Sequence, residues 1–288
     1  MLNLFISSSN FKKFFARLFV YLIIMAVLTL SVNYLYIKVN EGNGTEYDKF
    51  ENVPYNIQVF NFGPSHTQGG IDYNASDLAK NYTCFNFALS AQRWSYDLRI
   101  LKYYYDHLAN GGTCFICVWY PSFFGIPDRK SSGFLSMNKR YYNFLDAEHI
   151  MSYDPWIAFA VKYLPSISVY DQLLKDFFNK FHQYIAPKKT DAPASPENAE
   201  NIDLKLNALL RYHSQVAGSQ SGANGKRIYN QEEIGALYEM IKLLKAKNIT
   251  PVLITAPFLK EFPDTIHELS PTFFDEFYGS INKVCADT

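Results

Sequence analysis

The residues best suited to chemistry stand together at the end of a short, β-rich apolar run, residues 57–62. A Gly63-Pro64 turn closes this run, and Ser65 and His66 follow it directly. Open α/β sheets bind ligands just outside the carboxyl ends of their strands, so a serine there is placed to act as a nucleophile. The backbone N–H groups after such a serine are available to a developing oxyanion. The alternative is an ordinary turn in which Ser65 caps the next helix.

The cysteines do not form a pattern typical of a metal or redox site. Cys114 and Cys117 have C-x-x-C spacing, but they lie in an apolar run that predicts a strand. Alternation along a strand directs these two side chains to opposite faces, so we expect both to be buried as small apolar groups. No metal-binding spacing of histidine and carboxylate residues occurs elsewhere, and neither a metal nor another cofactor is predicted.

Composition gives no electrostatic basis for binding nucleic acid. The chain has 27 basic and 27 acidic residues, a net charge of zero, and no basic stripe among its aromatic residues. Its 288 residues, 48% of them apolar, are enough to bury a full hydrophobic core in one large or two small domains.

Residues 14–37 predict one transmembrane helix, because this apolar stretch reaches the roughly 20 residues needed to cross hydrocarbon. Lys12 and Lys13 precede it, Arg17 lies in its first turn before the uncharged run, and acidic residues follow it. The positive-inside rule therefore places residues 1–13 in the cytoplasm and everything after about residue 38 outside. A cleaved signal peptide is the alternative, but no small-x-small cleavage site follows the run. The prediction is an uncleaved signal anchor, which makes the chain a single-pass type II protein of the plasma membrane.

After a polar stalk at residues 38–50, the remaining chain, residues 51–288, alternates between predicted strands and helices. Strands are expected at residues 57–62, 83–87, 113–120 and 250–255. The main helices are expected at residues 90–109, 230–247 and 271–284. An insertion and linker are expected around residues 187–229. Such alternation predicts a three-layer α/β/α sandwich with a mainly parallel sheet and right-handed crossovers.

Two helix ends carry local signals. Asn230 and Glu233 form a start that is similar to a capping box. Asn110, Gly111 and Gly112 are expected to end the helix at residues 90–109 as its C-cap.

On these residues the chain resembles the SGNH/GDSL hydrolase superfamily. More narrowly, it resembles the membrane-anchored bacterial branch that handles acyl groups on cell-surface polysaccharides. The resemblance covers roughly residues 51–288 and implies the flavodoxin-like SGNH fold. Gly63, Pro64 and Ser65 stand where the family has a strand followed by Gly-Asp-Ser, which implies that Ser65 is the catalytic nucleophile.

The next two blocks of the family match less closely. Ala88, after the second strand, stands where the family has a small residue with an oxyanion N–H group, so the resemblance implies an oxyanion hole formed by Ser65 and Ala88. The third block usually carries an asparagine, but Trp119 and Tyr120 stand there instead. We assign these two residues and His66 to substrate binding, because aromatic rings supply stacking for a sugar.

The last family element is a D-x-x-H pair whose histidine deprotonates the serine. Asp264 and His267 have this spacing, but they come directly after the fourth strand, in an expected loop, rather than after a fifth strand. Two interpretations stay open. Either this loop reaches back over Ser65, or the functional pair belongs to a segment that this chain lacks.

The first functional hypothesis is a membrane-anchored, extracytoplasmic, serine-dependent acyltransferase or esterase that acts on O-acyl groups, acetyl above all, of a surface polysaccharide. Its partners would be the acylated glycan or acyl donor, and the resemblance implies a multispanning membrane acyltransferase as a further partner. The alternative is a non-catalytic, membrane-anchored α/β partner protein in a polymer-modification or secretion complex. The displaced D-x-x-H pair and the replaced asparagine motivate that alternative.

Overall fold

A computed structural model describes residues 8–40, 45–124, 132–168, 228–255 and 261–288. The chain divides into two compact units. The first, which we call the N-terminal unit, comprises residues 1–45, 139–143 and 152–188. The second, the α/β unit, comprises residues 46–138, 144–151 and 189–288. The linker predicted around residues 187–229 lies almost wholly outside the described residues.

The described elements are as follows in chain order. The helices are α1 (Ser8–Asn40), α2 (Ser65–Gly70), α3 (Leu78–Asn81), α4 (Trp94–Tyr103), α5 (Tyr120–Phe123), α6 (Ser132–Asn138), α7 (Pro155–Tyr163), α8 (Pro165–Ser168), α9 (Gln231–Ala246), α10 (Glu261–Leu269) and α11 (Phe273–Asp287). The strands are β1 (Ile57–Phe62), β2 (Cys84–Asn86), β3 (Leu108–Cys117) and β4 (Thr250–Ile254). Short 3₁₀ helices lie at Asp48–Asn52, Tyr105–His107, Lys139–Asn143 and Ala147–His149.

The N-terminal unit is built around α1. Within α1, the 29 residues Phe11–Val39 are long and apolar enough to cross a membrane, and none of the most apolar part is buried inside the protein. The N-terminal apolar helix predicted from the sequence is therefore present. In the same unit, α8 packs against α1, and α7 packs against both α8 and the 3₁₀ helix Lys139–Asn143.

The α/β unit contains a four-stranded parallel sheet in the order β2-β1-β3-β4. The predicted α/β class and parallel sheet are confirmed. Since β1 has β2 on one side and β3 on the other, the direction of winding reverses between β1 and β3. In open α/β sheets, ligands bind at such a switch point, outside the carboxyl ends of the strands.

Helices α4 and α9 pack side by side. They belong to the β2-to-β3 and β3-to-β4 connections, which cross the sheet in the same direction, so right-handed crossovers place both helices on one face. Alternate side chains of β1 and β3 are fully buried, namely Phe60, Phe62, Cys114 and Ile116. The hydrophobic core of the α/β unit therefore packs against β1 and β3, the two strands between which the switch point lies.

Helix α9 begins as its sequence predicts. The Asn230 side chain accepts a hydrogen bond from the Glu233 N–H at 3.2 Å, which is the N-cap interaction expected. The other half of the capping box is different, because the Glu233 carboxylate binds Ser95 of α4 instead, at 2.8 Å from the backbone N and 2.7 Å from Oγ. The Glu233 side chain thus links the first turn of α9 to the first turn of α4.

The predicted C-cap at residues 110–112 is wrong. Helix α4 ends at Tyr103, and Asn110, Gly111 and Gly112 belong to β3. A Cβ atom on Gly112 would lie 2.5 Å from the Gln58 carbonyl oxygen. The glycine therefore serves the close approach of β3 to β1, a use of glycine that a single sequence does not distinguish from a helix stop.

Candidate functional site

Ser65 lies at the switch point, as the first residue of α2, and its side chain is exposed. The N-cap position is Pro64, and no side chain caps the helix. Within the described residues, no hydrogen bond from the Ser65 hydroxyl is found. The alternative in which Ser65 caps the helix is therefore not what the structure contains, and the hydroxyl faces solvent beside the carboxyl ends of β1 and β3.

The turn before Ser65 depends on Gly63. Its φ is +136°, in the region that side chains rarely adopt. A Cβ atom there would lie 2.5 Å from the Cys117 Cβ and 2.8 Å from the Thr67 Oγ1. Cys117 and Cys114 are both buried, as expected, and all four cysteines are free. The exit of β1 thus packs directly on the last residue of β3.

His66 and Trp119 come together at this edge. Their ring centroids are 5.8 Å apart, and both side chains are half-buried. Tyr120 has a different position from the one predicted for a substrate contact. It is 2% exposed, and its ring packs against Phe273 and Phe277 at centroid distances of 5.4 Å and 6.3 Å. The α5 turn directs Tyr120 into the core and leaves Trp119 at the edge.

Asn86, the last residue of β2, is a residue that the sequence analysis missed. Its Nδ2 donates to the carbonyl oxygens of Thr67, Gln68 and Ile71, at 3.2, 3.1 and 3.0 Å. Its Oδ1 accepts a hydrogen bond from Asn61 Nδ2 at 2.8 Å. Asn86 therefore fixes the end of α2, the helix that Ser65 begins, to the sheet. The sequence did contain a signal for this role, because an asparagine stands near the end of each of two predicted strands, Asn61 in β1 and Asn86 in β2.

The same Asn86 oxygen engages the predicted oxyanion donor. The Ala88 N–H donates to Asn86 Oδ1 at 3.0 Å, and Ala88 is fully buried. The Ala88 carbonyl accepts a hydrogen bond from Lys49 Nζ at 2.5 Å. An oxyanion held by the Ala88 amide would have to replace the Asn86 oxygen as its acceptor.

Asp264 and His267 lie on α10, one turn apart, and both side chains are exposed. The expected loop is therefore a helix, which Ile266 anchors with a fully buried side chain. In the described part of the chain, no hydrogen bond or ion pair joins Asp264 to His267. In the chain, α10 follows β4, whose carboxyl end lies at the same edge of the sheet as Ser65.

A cavity of about 450 Å³ lies beside the carboxyl-terminal half of α2. Tyr73 lines it and is 8% exposed, and burial raises the pKa of its hydroxyl well above the ordinary value. This hydroxyl has no hydrogen-bond partner among the described residues. The cavity also contains amide, carboxylate and ammonium groups, from Gln68, Asn74, Asn86, Asp72 and Lys49. Such a lining suits a small polar ligand with hydroxyl groups.

Among the residues that the structure describes, no group of three or more histidine, cysteine, aspartate or glutamate side chains is arranged to hold a metal ion. Comparisons of the chain with protein-family models, curated proteins and solved structures gave no match. The resemblance to SGNH/GDSL hydrolases thus rests on the sequence motifs, and its implications are proposals.

Proposed function

We propose that the α/β unit is a three-layer sandwich of the flavodoxin-like SGNH type and acts as an extracytoplasmic, serine-dependent acyltransferase or esterase. The substrate would be an O-acyl group, acetyl above all, on a cell-surface polysaccharide. One observation carries the proposal: Ser65 presents an exposed hydroxyl at the switch point of a parallel sheet. Its neighbours His66 and Trp119 offer a polar and an aromatic contact for the glycan.

In this mechanism, Ser65 Oγ attacks the acyl carbonyl carbon and the serine proton passes to a general base. The carbonyl oxygen becomes an oxyanion beside the N–H groups of Ser65 and Ala88. When the oxyanion collapses, the bond to the donor oxygen breaks, and that oxygen takes the proton from the base. A sugar hydroxyl, or water in the esterase reaction, then attacks the acyl-serine and gives its proton to the base. The bond to Ser65 Oγ breaks, and Oγ takes that proton back from the base.

We assign the base to His267, with Asp264 as the residue that orients it. The support is the D-x-x-H spacing and the place of α10 in the chain, after β4, whose carboxyl end lies at the same sheet edge as Ser65. The reaction requires the two side chains, which are exposed and unjoined in the described structure, to be brought to Ser65 when substrate binds. Acid–base catalysis of this kind contributes about 10²–10⁴-fold to a rate.

We further propose that α1 anchors the protein in the plasma membrane as a single-pass type II protein, with the α/β unit outside. The support is the 29-residue stretch of α1 that is long and apolar enough to cross a membrane, together with the basic residues Lys12, Lys13 and Arg17 near its N-terminal end. This arrangement would place Ser65 on the side of the membrane where surface polysaccharides are modified. A multispanning acyltransferase that delivers the acyl group is the partner that fits such a position.

The decisive experiment is fluorophosphonate labelling of the full chain in detergent, together with hydrolysis of p-nitrophenyl acetate. Ser65→Ala should abolish both signals. Ser90→Ala is the matched control, because Ser90 is also exposed and follows the neighbouring strand β2; its backbone N–H bond to Glu46 survives the change. His267→Gln and Asp264→Asn should each slow labelling, the histidine variant by about 10²-fold or more.

The outcomes separate the parts of the proposal. Unchanged labelling in Ser65→Ala would remove Ser65 from the mechanism. Labelling that is lost in Ser65→Ala but unaffected in His267→Gln would overturn the assignment of the base alone.

A second function is favoured by two specific observations. The Ala88 amide already has an acceptor, and the exposed Asp264 and His267 are not joined to each other. Both fit a non-catalytic, membrane-anchored α/β partner of a polymer-modification or secretion complex. In that case, wild-type protein would show no fluorophosphonate labelling at Ser65, whereas an assembled catalytic site would be labelled.

A further inference from the structure

The N-terminal unit contains a buried polar side chain within its apolar helix. Asn33 of α1 is only 7% exposed. Its Nδ2 donates to the Tyr163 carbonyl at 3.2 Å, and its Oδ1 accepts hydrogen bonds from the Ser166 N–H at 3.2 Å and the Ser166 Oγ at 3.0 Å. Because hydrocarbon offers no hydrogen-bonding partner, a polar side chain in a membrane helix must be satisfied by protein. The partners here are the end of α7 and the start of α8.

The position of Asn33 along α1 sets the depth of α7 and α8 in the bilayer. A span that starts after Arg17 and covers roughly 20 residues ends near Ile37. Asn33 is one helical turn before that end, ~6 Å inside it at about 1.5 Å per residue. The α7–α8 junction that binds Asn33 therefore lies at the boundary between lipid headgroups and acyl chains.

The surface of α7 has the chemistry of this boundary. Trp156, Phe159 and Tyr163 repeat at the i, i+3, i+7 spacing of one helix face, and they are 80%, 48% and 56% exposed. Phe159 and Tyr163 contact each other, with ring centroids 5.2 Å apart. Trp and Tyr are enriched where one part of a side chain is in lipid and another is in water. The backbone of Tyr163, at the end of this aromatic face, is joined to α1 by the hydrogen bond from Asn33.

Three basic residues of the same unit lie on α7 or on the 3₁₀ helix that packs against it. Lys162 places Nζ 5.5 Å from the centre of the Tyr163 ring, and the 3₁₀ helix packed against α7 carries Lys139 and Arg140. The nearby carboxylate, Asp154, is held as the N-cap of α7 by the N–H groups of Trp156 and Ile157. Basic residues near a membrane surface favour binding to anionic headgroups by about 1 kcal/mol for each cation.

We propose that the aromatic face of α7 binds the lipids of the outer leaflet, with Trp156, Phe159 and Tyr163 in the headgroup–acyl boundary and Asn33 holding the helix at that depth. This inference rests on the proposal that α1 crosses the membrane, but not on catalysis. Its occupant is lipid, because the hydrogen bonds of Asn33 tie the face to the level of the bilayer.

The test uses the full chain in vesicles that contain phosphatidylglycerol, and compares lipids brominated near the headgroup end of the acyl chain with unbrominated lipids. The emission of Trp156 is taken as the difference between wild type and Trp156→Phe. It should be shifted to the blue and lose most of its intensity in brominated lipid. The emission of Trp94, obtained in the same way from Trp94→Phe, should keep its intensity, since the Trp94 side chain is 1% exposed and so does not contact lipid.

Flotation of the vesicles separates the two proposals. Protein that does not float with the vesicles would overturn the membrane anchor itself. Protein that floats, but whose Trp156 emission is unquenched and typical of water, would overturn the lipid-binding face alone. The second result is also the one expected if this face binds a protein partner, because vesicles of lipid contain none.

A second pair of variants tests the role of Asn33. Asn33→Leu removes its hydrogen bonds and should reduce the quenching of Trp156, while flotation through α1 is retained. Ser31→Leu makes a similar change at an exposed position of α1 and should leave the quenching at the wild-type level. Full quenching in Asn33→Leu would overturn the assignment of Asn33 as the residue that holds α7 in place.

Discussion

Gly63 stands between the last buried residue of β1 and the turn that carries Ser65, and two independent constraints act on it. Its positive φ is one, and the close contact with Cys117 and Thr67 is the other. A side chain at this position would have to move either the end of β3 or the first turn of α2. The orientation of the Ser65 hydroxyl therefore depends on a residue that has no functional group.

We expect Gly63→Ala to destabilise the α/β unit by about 1–3 kcal/mol, because it combines an unfavourable φ with steric overlap. Urea unfolding of the full chain in detergent measures this change. Gly69→Ala is the matched control, since its Cβ would meet no atom within 4 Å and its position is in the same short helix. That variant should be neutral or more stable by up to ~1 kcal/mol. Equal stabilities of the two variants would contradict the constraint at Gly63.

At this scale, sequence analysis succeeded where a residue's role follows from its neighbours in the chain. Ser65 and Gly63 are adjacent to the strand that positions them, so the exposed serine after a tight turn was predictable. Asn86 and Tyr120 were not, because their roles depend on contacts with distant segments. Asn86 binds carbonyl groups 15 to 19 residues earlier, and Tyr120 packs on α11.

Among the elements, α4 and α9 are joined by a buried polar contact. The carboxylate of Glu233 accepts two hydrogen bonds from Ser95, which lies 138 residues away in the chain. Burial, and to a smaller extent the charge of neighbouring Glu232, raise the pKa of this carboxyl above its usual value, whereas the hydrogen bonds from Ser95 and the charge of Arg93 act in the opposite direction. Since burial dominates, the ionised form carries a cost in the folded protein.

This cost predicts a pH dependence of stability. The folded protein holds the Glu233 proton to a higher pH than the unfolded chain does. The stabilisation from that proton is therefore complete below the ordinary pKa of 4.5 and is lost as the pH rises through the raised value. Glu233→Gln should flatten this decline in the free energy of unfolding, measured by urea titration from pH 4.5 upward.

Glu268→Gln is the control for this experiment, because it removes one negative charge from an exposed position of another helix, α10, and Glu268 does not contribute to the shift at Glu233. An identical pH profile in wild type and Glu233→Gln would show that Glu233 does not titrate in the folded protein above its ordinary pKa.

The elements also show which local signals are reliable. Helix α9 was predicted nearly to its ends, because apolar periodicity and a capping asparagine agree with each other. The boundary of α4 was misplaced, since glycines that permit close strand contact have the same appearance as a C-cap. Helix α10, which carries Asp264 and His267, was not predicted either, because the sequence analysis expected a loop there.

For the whole molecule, the order of four parallel strands is what gives the candidate site its location. Alternation of strands and helices predicted the class of the sheet, but not the neighbours of each strand, which depend on long-range pairing. The switch point between β1 and β3 thus emerged only from the structure. It coincides with the serine that the sequence had already marked.

The proposed orientation of the chain can be tested with its own cysteines. Cys285 is exposed, Cys114 and Cys117 are buried, and burial raises the pKa of the half-buried Cys84 thiol and so lowers its reactivity. A membrane-impermeant maleimide should therefore label mainly Cys285, and should do so in intact cells. Cys285→Ser should remove most of the labelling. Labelling of Cys285 that requires permeabilised cells would contradict the type II orientation.

The strand order also has a consequence for how the chain reaches its native state. β3 and β4 pair side by side, yet the chain between Cys117 and Thr250 must be synthesised before they can meet. During that interval β3 is the outer strand of a three-stranded sheet, with unpaired backbone groups and apolar side chains open to other chains. Because β4 is synthesised much later than β3, the exposed edge of β3 is where nascent chains are most prone to misassemble. It is also where a chaperone would protect the chain most.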